Sequence, residues 1–165
     1  MKRNLSVVIC ILIAFIFTSC KKDNDKDKEL NAITITEGEL SGYSHTFSPN
    51  LGFWSPVDET TRYMHLVLGD DSNQSYGGEN VISIVFYDNG AQEVQFPSPE
   101  GQWIRFMIIF DDVAYNFAEE SAVLAITQMD DMHFEGTLTG QFVDMFDSSI
   151  KINFTMYLSL PMQQI

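Results

Sequence analysis

Basic residues are scarce in this chain, and cysteines scarcer still. Of 165 residues, nine are Lys or Arg against 23 Asp and Glu, a formal net charge of −14. From Leu30 onward the only basic residues are Arg62, Arg105 and Lys151. A nucleic-acid site needs clustered Lys and Arg to follow the phosphate backbone, so no nucleic-acid partner is expected. An anionic lipid headgroup would be repelled by the same surplus of carboxylates. What the acidity favours is solubility and a loose attraction for cations.

There are two cysteines, Cys10 and Cys20. Cys10 lies inside an apolar run and Cys20 closes it. If the run is removed after Ser19, one cysteine remains and no intramolecular disulfide can form. The charge then becomes seven basic residues against 23 acidic ones, or −16. Without a disulfide the domain must rest on its core. Roughly 135 residues suffice for that, because a domain of this size buries about two-thirds of its unfolded surface.

Long amphipathic helices are also missing, as are a serine elbow, a phosphate loop and a metalloprotease signature. No internal repeat is visible.

What is present begins with a three-part amino terminus. Lys2 and Arg3 precede an apolar run from Leu5 to Phe17, and Thr18-Ser19 are small. This is the pattern of a secretory signal, residues 1–19. The run is shorter than the ~20 apolar residues that span a bilayer. Residues 21–29 are charged or polar throughout, which makes residues 20–29 a solvated tether. Residues 30–165 read as one folded domain.

Phe17-Thr18-Ser19-Cys20 resembles the lipobox of bacterial lipoproteins, with Phe17 in the place usually held by Leu. The resemblance implies lipidation of Cys20 on sulfur and on its new amino terminus. Several acyl chains anchor stably where one would be marginal. Lys21-Lys22-Asp23 with Asp25 is similar to the basic-then-acidic signal of surface lipoproteins of Bacteroidota. Asn24 interrupts it. The domain also resembles, loosely, small β-rich lipoproteins of that group. The run Ala125-Ile126-Thr127, followed by Phe134-Glu135-Gly136-Thr137-Leu138-Thr139-Gly140-Gln141-Phe142, carries that likeness. It implies an outer-membrane, lipid-anchored protein, on the cell surface in preference to the periplasmic face, and no particular activity.

From Leu30 apolar residues alternate with polar ones between turn residues, the pattern of half-buried strands. The clearest run is the last. Ile150, Ile152, Phe154, Met156, Leu158 and Leu160 share one face, and Pro161 is expected to end the strand. Phe134, Leu138 and Phe142 share a face in the run before it. Trp103 to Phe110 is apolar on both faces, which predicts a central, buried strand. Gly52 to Thr61 reads as a loop. Asp88-Asn89-Gly90 predicts a tight turn that folds Gln92 to Phe96 back as a hairpin. Val113 to Phe117 and Val123 to Met129 read as separate strands, with a short helix-like composition over Ala118 to Ala125. The sum is about eight to ten short strands in an all-β antiparallel sandwich, with a lipocalin-like barrel as the alternative.

Candidate chemistry is sparse. His45, His65 and His133 have no second ligand at metal spacing nearby, so each reads as a surface or cross-strand residue. Asp70, Asp71 and Asn73 offer oxygens as a calcium loop would, but Tyr76 stands where such a loop needs Gly and Ile82 where it needs Glu, so no cofactor is expected other than Ca2+ in an irregular site there. The doublets Asp58-Glu59, Asp111-Asp112, Glu119-Glu120 and Asp130-Asp131 read as turns. Acylated Cys20 is no nucleophile. The expectation is therefore a non-catalytic binding or accessory module that meets envelope proteins or glycans. Trp54, Tyr43 and Tyr76 lie near predicted loops as candidate ligand contacts, Tyr115 beside them. A barrel carrying a small apolar ligand is the third reading, and it requires an open interior.

Overall fold

Strand β10 (Lys151–Gln164) shows how the alternation becomes a core. Its residues Ile152, Phe154, Met156, Leu158, Leu160 and Met162 are all buried, and the intervening residues face outward. A computed structural model describes residues 29–70, 80–98 and 101–165. The signal segment, Cys20 and most of the tether lie outside these residues.

Nine further strands accompany β10: β1 (Ala32–Gly38), β2 (Ser44–Thr46), β3 (Ser48–Pro56), β4 (Arg62–Gly69), β5 (Val81–Asp88), β6 (Glu93–Phe96), β7 (Trp103–Phe110), β8 (Val113–Met129) and β9 (His133–Asp144). They pair in the order β2-β1-β10-β3-β4-β5-β7-β8-β6, while β9 bridges β10 and β8. All these ladders are antiparallel except a three-residue parallel contact of β10 with β3. The domain is an all-β antiparallel sandwich. Rings occupy its interior: Phe142 lies 4.6 Å from Phe154 and 4.9 Å from Phe106, which stacks on Phe117 at 5.0 Å. These packed rings stand where a lipocalin-like barrel would carry an apolar ligand.

Several boundaries differ from expectation, each for a local reason. Gly52 to Thr61 is not all loop, because Ser48–Pro56 pairs with β4 despite its two prolines. The register shifts between Pro49 and Gly52, and such irregularities accommodate residues that a regular ladder rejects. Met162 occupies the space against Gly52, with its sulfur where a Cβ would stand.

Val113 to Met129 is one strand of 17 residues, with no helix in it. Its register shifts between Glu119 and Ser121 and again between Ile126 and Gln128. Each bulge moves the inward face by one residue. Phe117 points inward before the first bulge, and Ala122 and Leu124 after it. A period-2 reading therefore breaks in the middle of a continuous strand.

Asp88-Asn89-Gly90 does turn the chain, with the Asp88 carboxylate accepting the Gly90 N–H and Gly90 at φ 84°. The following strand does not fold back on β5, which pairs with β7 instead. Strand β6 covers Ala122–Ala125 of β8, an edge that β7 is too short to reach. An unpaired edge there would leave backbone groups open. Pro161 does not end β10 either. The strand continues to Gln164, where it meets β3.

Asp111-Asp112 forms the expected turn, with both residues at positive φ (50° and 62°) in a two-residue hairpin loop. At the start of the domain, the Asn31 side chain donates to the Ser159 carbonyl and accepts from its N–H. This fastens the first residues to the last strand.

Candidate functional site

Strands β4, β5 and β7 send Met64, Leu66, Ile82, Ile84, Ile104 and Phe106 inward. By alternation Tyr63, His65, Val81, Ser83, Val85, Tyr87, Trp103, Arg105 and Met107 face outward. Register aligns them in rows. His65 pairs with Val85, which pairs with Trp103, and in the next outward row Ser83 pairs with Arg105. The His65 and Trp103 rings meet above Val85, 6.3 Å apart. Val85 is only 2% exposed although it faces outward. The outer face therefore carries its own small apolar cluster.

Beside this cluster lies a cavity of about 450 Å³. Its walls include Ser83, Trp103, Arg105, Met107, Asn116 and Met145. Met145 is brought there by the β9–β10 turn, whose backbone N–H donates to the Asn116 carbonyl. The volume falls in the range of small-ligand sites, about 300–1,000 Å³.

The Arg105 guanidinium sits 4.9 Å from the centre of the Trp103 ring. Among the described residues it has no ion-pair partner. The other two cations of the domain are engaged: Arg62 bridges Asp88 and Asp131, and Lys151 holds Glu120. Glu119 feels the charge of Arg105, yet its carboxylate accepts the Ile104 N–H at 3.0 Å. It thereby completes the backbone hydrogen bonding near the first β8 bulge. The indole face attracts the guanidinium through its π electrons and leaves the N–H groups available to a ligand.

His65 shares a 2.8 Å hydrogen bond with Ser83, and burial pushes its pKa below the ordinary imidazole value. The cavity thus has one permanent cation and a neutral histidine beside it at neutral pH. Burial pushes the Glu119 pKa upward. The sign follows directly: a raised carboxyl pKa opposes folding once the group ionises, and the penalty disappears as pH falls through the folded value. Glu119→Gln keeps an acceptor for Ile104 and carries no charge. It is expected to raise the melting temperature near pH 7, with the gain shrinking toward pH 4. Thermal unfolding across that range measures it.

The residues singled out from the sequence are dispersed. Trp54 packs against one end of the core, with Arg62 over its ring at 5.3 Å and its indole N–H donated to the Asp131 carbonyl at 3.3 Å. Tyr43 packs edge-on against Phe110 and stacks with His45. Its pKa is raised by burial and then by the Asp70 charge. These two aromatics sit near opposite ends of β4, a separation of about 20 Å at ~3.3 Å per residue. Asp70 approaches His45 at 2.5 Å and accepts both the backbone and side-chain N–H groups of Asn80. Asp71, Asn73 and Tyr76 lie outside the described residues. Tyr115 stacks with Phe117 at 6.0 Å, as a packing residue.

One constellation has the composition of a catalytic relay. His133 Nε2 lies 3.3 Å from Ser159 Oγ and 3.1 Å from Glu135 Oε1. Both partners meet the same ring nitrogen. A relay needs the nucleophile and the orienting carboxylate on opposite nitrogens, so the ring cannot pass a proton between them here. Among the described residues no group of three or more His, Cys, Asp or Glu side chains is placed to hold a metal ion. No described helix is long and apolar enough to cross a membrane.

No protein-family model, curated protein or solved structure matches this chain.

The Trp103–Arg105 face escaped a reading by residue type. Trp103 to Phe110 is central in the pairing, as its apolar content predicts, but its outer face is only partly covered by the described residues. Arg105 is exposed and Trp103 half-buried. The available signal was Arg105 itself, a cation inside an apolar run in a domain with only three.

Proposed function

We propose that this protein is a non-catalytic binding or accessory module of the cell envelope, and that it meets its ligand on the outer face of β4, β5 and β7. The observation that carries the reading is the cavity beside the Trp103–Arg105 pair, where a cation with no ion-pair partner among the described residues stands next to a half-buried indole. Mostly apolar walls with a few convergent polar groups are the usual makings of a binding site.

The anchor in this proposal is Cys20, acylated at the outer membrane, with residues 21–29 as tether and surface display favoured. The lipobox-like residues Phe17-Thr18-Ser19-Cys20 support it. Cys20→Ala is expected to abolish metabolic acyl labelling and to move the protein from the membrane to the soluble fraction. Persistence in the membrane fraction would place the anchor elsewhere.

The site is tested by thermal-shift screening of a library of envelope metabolites and glycans against the wild type and Trp103→Ala. Trp103 is half-buried on the outer face and lies outside the core cluster, so its removal leaves the core intact. The expected result is hits that stabilise the wild type and lose their effect in the variant. Hits indifferent to Trp103 would argue against this face. A glycan contact through Trp54 is the competing outcome; it would appear as hits lost in Trp54→Ala alone.

A further inference from the structure

The ligand of this face is constrained by charge and by shape. A domain with 19 acidic residues and three Lys or Arg from Leu30 onward repels polyanions at a distance. A ligand that reaches Arg105 therefore carries little charge of its own. Arg105 nevertheless has no carboxylate at ion-pair distance among the described residues, since Glu119, which feels its charge, is engaged with the Ile104 N–H, while Arg62 and Lys151 have ion-pair partners. Its guanidinium lies over Trp103 and keeps the fork that pairs with planar carboxylates through two parallel hydrogen bonds. Ser83 beside it is already engaged with His65, so it adds little to the recognition of hydroxyl groups. Apart from Asn116 the remaining walls are apolar, and Met107 and Met145 among them are deformable. A polyhydroxylated ring would find too few partners there, whereas an apolar or aromatic body would be covered.

From these constraints we infer that the cavity takes a small monocarboxylate with an apolar or aromatic body, its carboxylate on Arg105 and its body between Trp103 and the two methionines. This rests on the proposal that the face is the binding site. It adds the chemical class of the ligand and names Arg105 as the residue that selects it.

The experiment uses the full chain in nanodiscs, with both tryptophan indole N–H signals followed by NMR. The probes are phenylacetate, its uncharged amide phenylacetamide, and glucuronate. Phenylacetate is expected to shift the Trp103 signal and leave Trp54 unmoved. Phenylacetamide should bind about tenfold or more weakly, the scale of a lost charge-assisted hydrogen bond. Arg105→Gln should weaken phenylacetate by a similar factor and leave the amide unchanged. Arg105 is exposed, so this variant keeps the fold. Equal binding of acid and amide, or retention in Arg105→Gln, would overturn the carboxylate assignment while leaving the face as a binding site. Stronger binding of glucuronate would overturn the apolar body in favour of an acidic sugar. No shift of Trp103 with any probe would overturn both the assignment and the site.

Discussion

Phe142→Ala is expected to destabilise the domain by about 3–5 kcal/mol. Phe142 is completely buried, and its ring meets Phe106 at 4.9 Å and Phe154 at 4.6 Å. These contacts join β9, β7 and β10, so the ring ties β7 to two strands that follow it much later in the sequence. Its removal takes away transferred apolar surface and leaves a cavity bounded by rings that cannot collapse freely. Domains of this kind are stable by only about 5–15 kcal/mol in total, so the loss is a large fraction of the whole. Urea unfolding followed by circular dichroism measures it. A shift worth less than about 1 kcal/mol would mean that the aromatic cluster is not the load-carrying part of the core.

The second large effect is expected at Gly140. Strand β9 places Phe134, Gly136, Leu138, Gly140 and Phe142 on its inward face, large and small in turn. A Cβ on Gly140 would stand 2.5 Å from the Ser121 carbonyl oxygen and 2.7 Å from the Ala122 Cα. Both are backbone atoms, so no rotamer change relieves the clash. They belong to the stretch of β8 just after its first bulge, where Ala122 pairs with Gly140. Gly140→Val must push the two strands apart, at a cost of about 3 kcal/mol. Thr137→Val, on the outward face of the same strand, should stay within about 0.5 kcal/mol. Chemical denaturation of the two variants separates the predictions, and a Gly140→Val protein as stable as the wild type would show that the approach of the backbones is looser than described.

The same two strands show what a sequence can reveal. In β10 and β9 polar and apolar residues alternate without interruption, so their faces were legible residue by residue. The turn at Asp111-Asp112 was legible too, because few residues other than Asp, Asn and Gly accept two successive positive φ values. Strand β8 was not, because two bulges reverse its inward face, and a strict period of two reads as broken at each reversal. Strand β3 was hidden by its prolines, and the partner of β6 by topology: a tight turn predicts that the chain reverses, not which edge it reaches.

The site was less legible than the fold. Trp54 and Tyr43 look like loop aromatics in sequence, yet the structure packs both against the core near opposite ends. Trp103 and Arg105 look like parts of a buried strand, yet they stand beside a cavity. Ser83, Asn116 and Met145 join them from three other segments. Such a site is assembled by register across strands, and register depends on pairings that local sequence does not specify. The lipidation signal is the opposite case, contained in consecutive residues ending at Cys20.

The most direct test of the account is a crystallographic fragment screen of the protein, with small carboxylates and neutral aromatics in the same library. The account predicts that carboxylate fragments collect beside the Trp103–Arg105 pair, with an oxygen within hydrogen-bond distance of the guanidinium. Fragments that gather only around Trp54 or Tyr43, and leave the cavity at Arg105 empty, would contradict it.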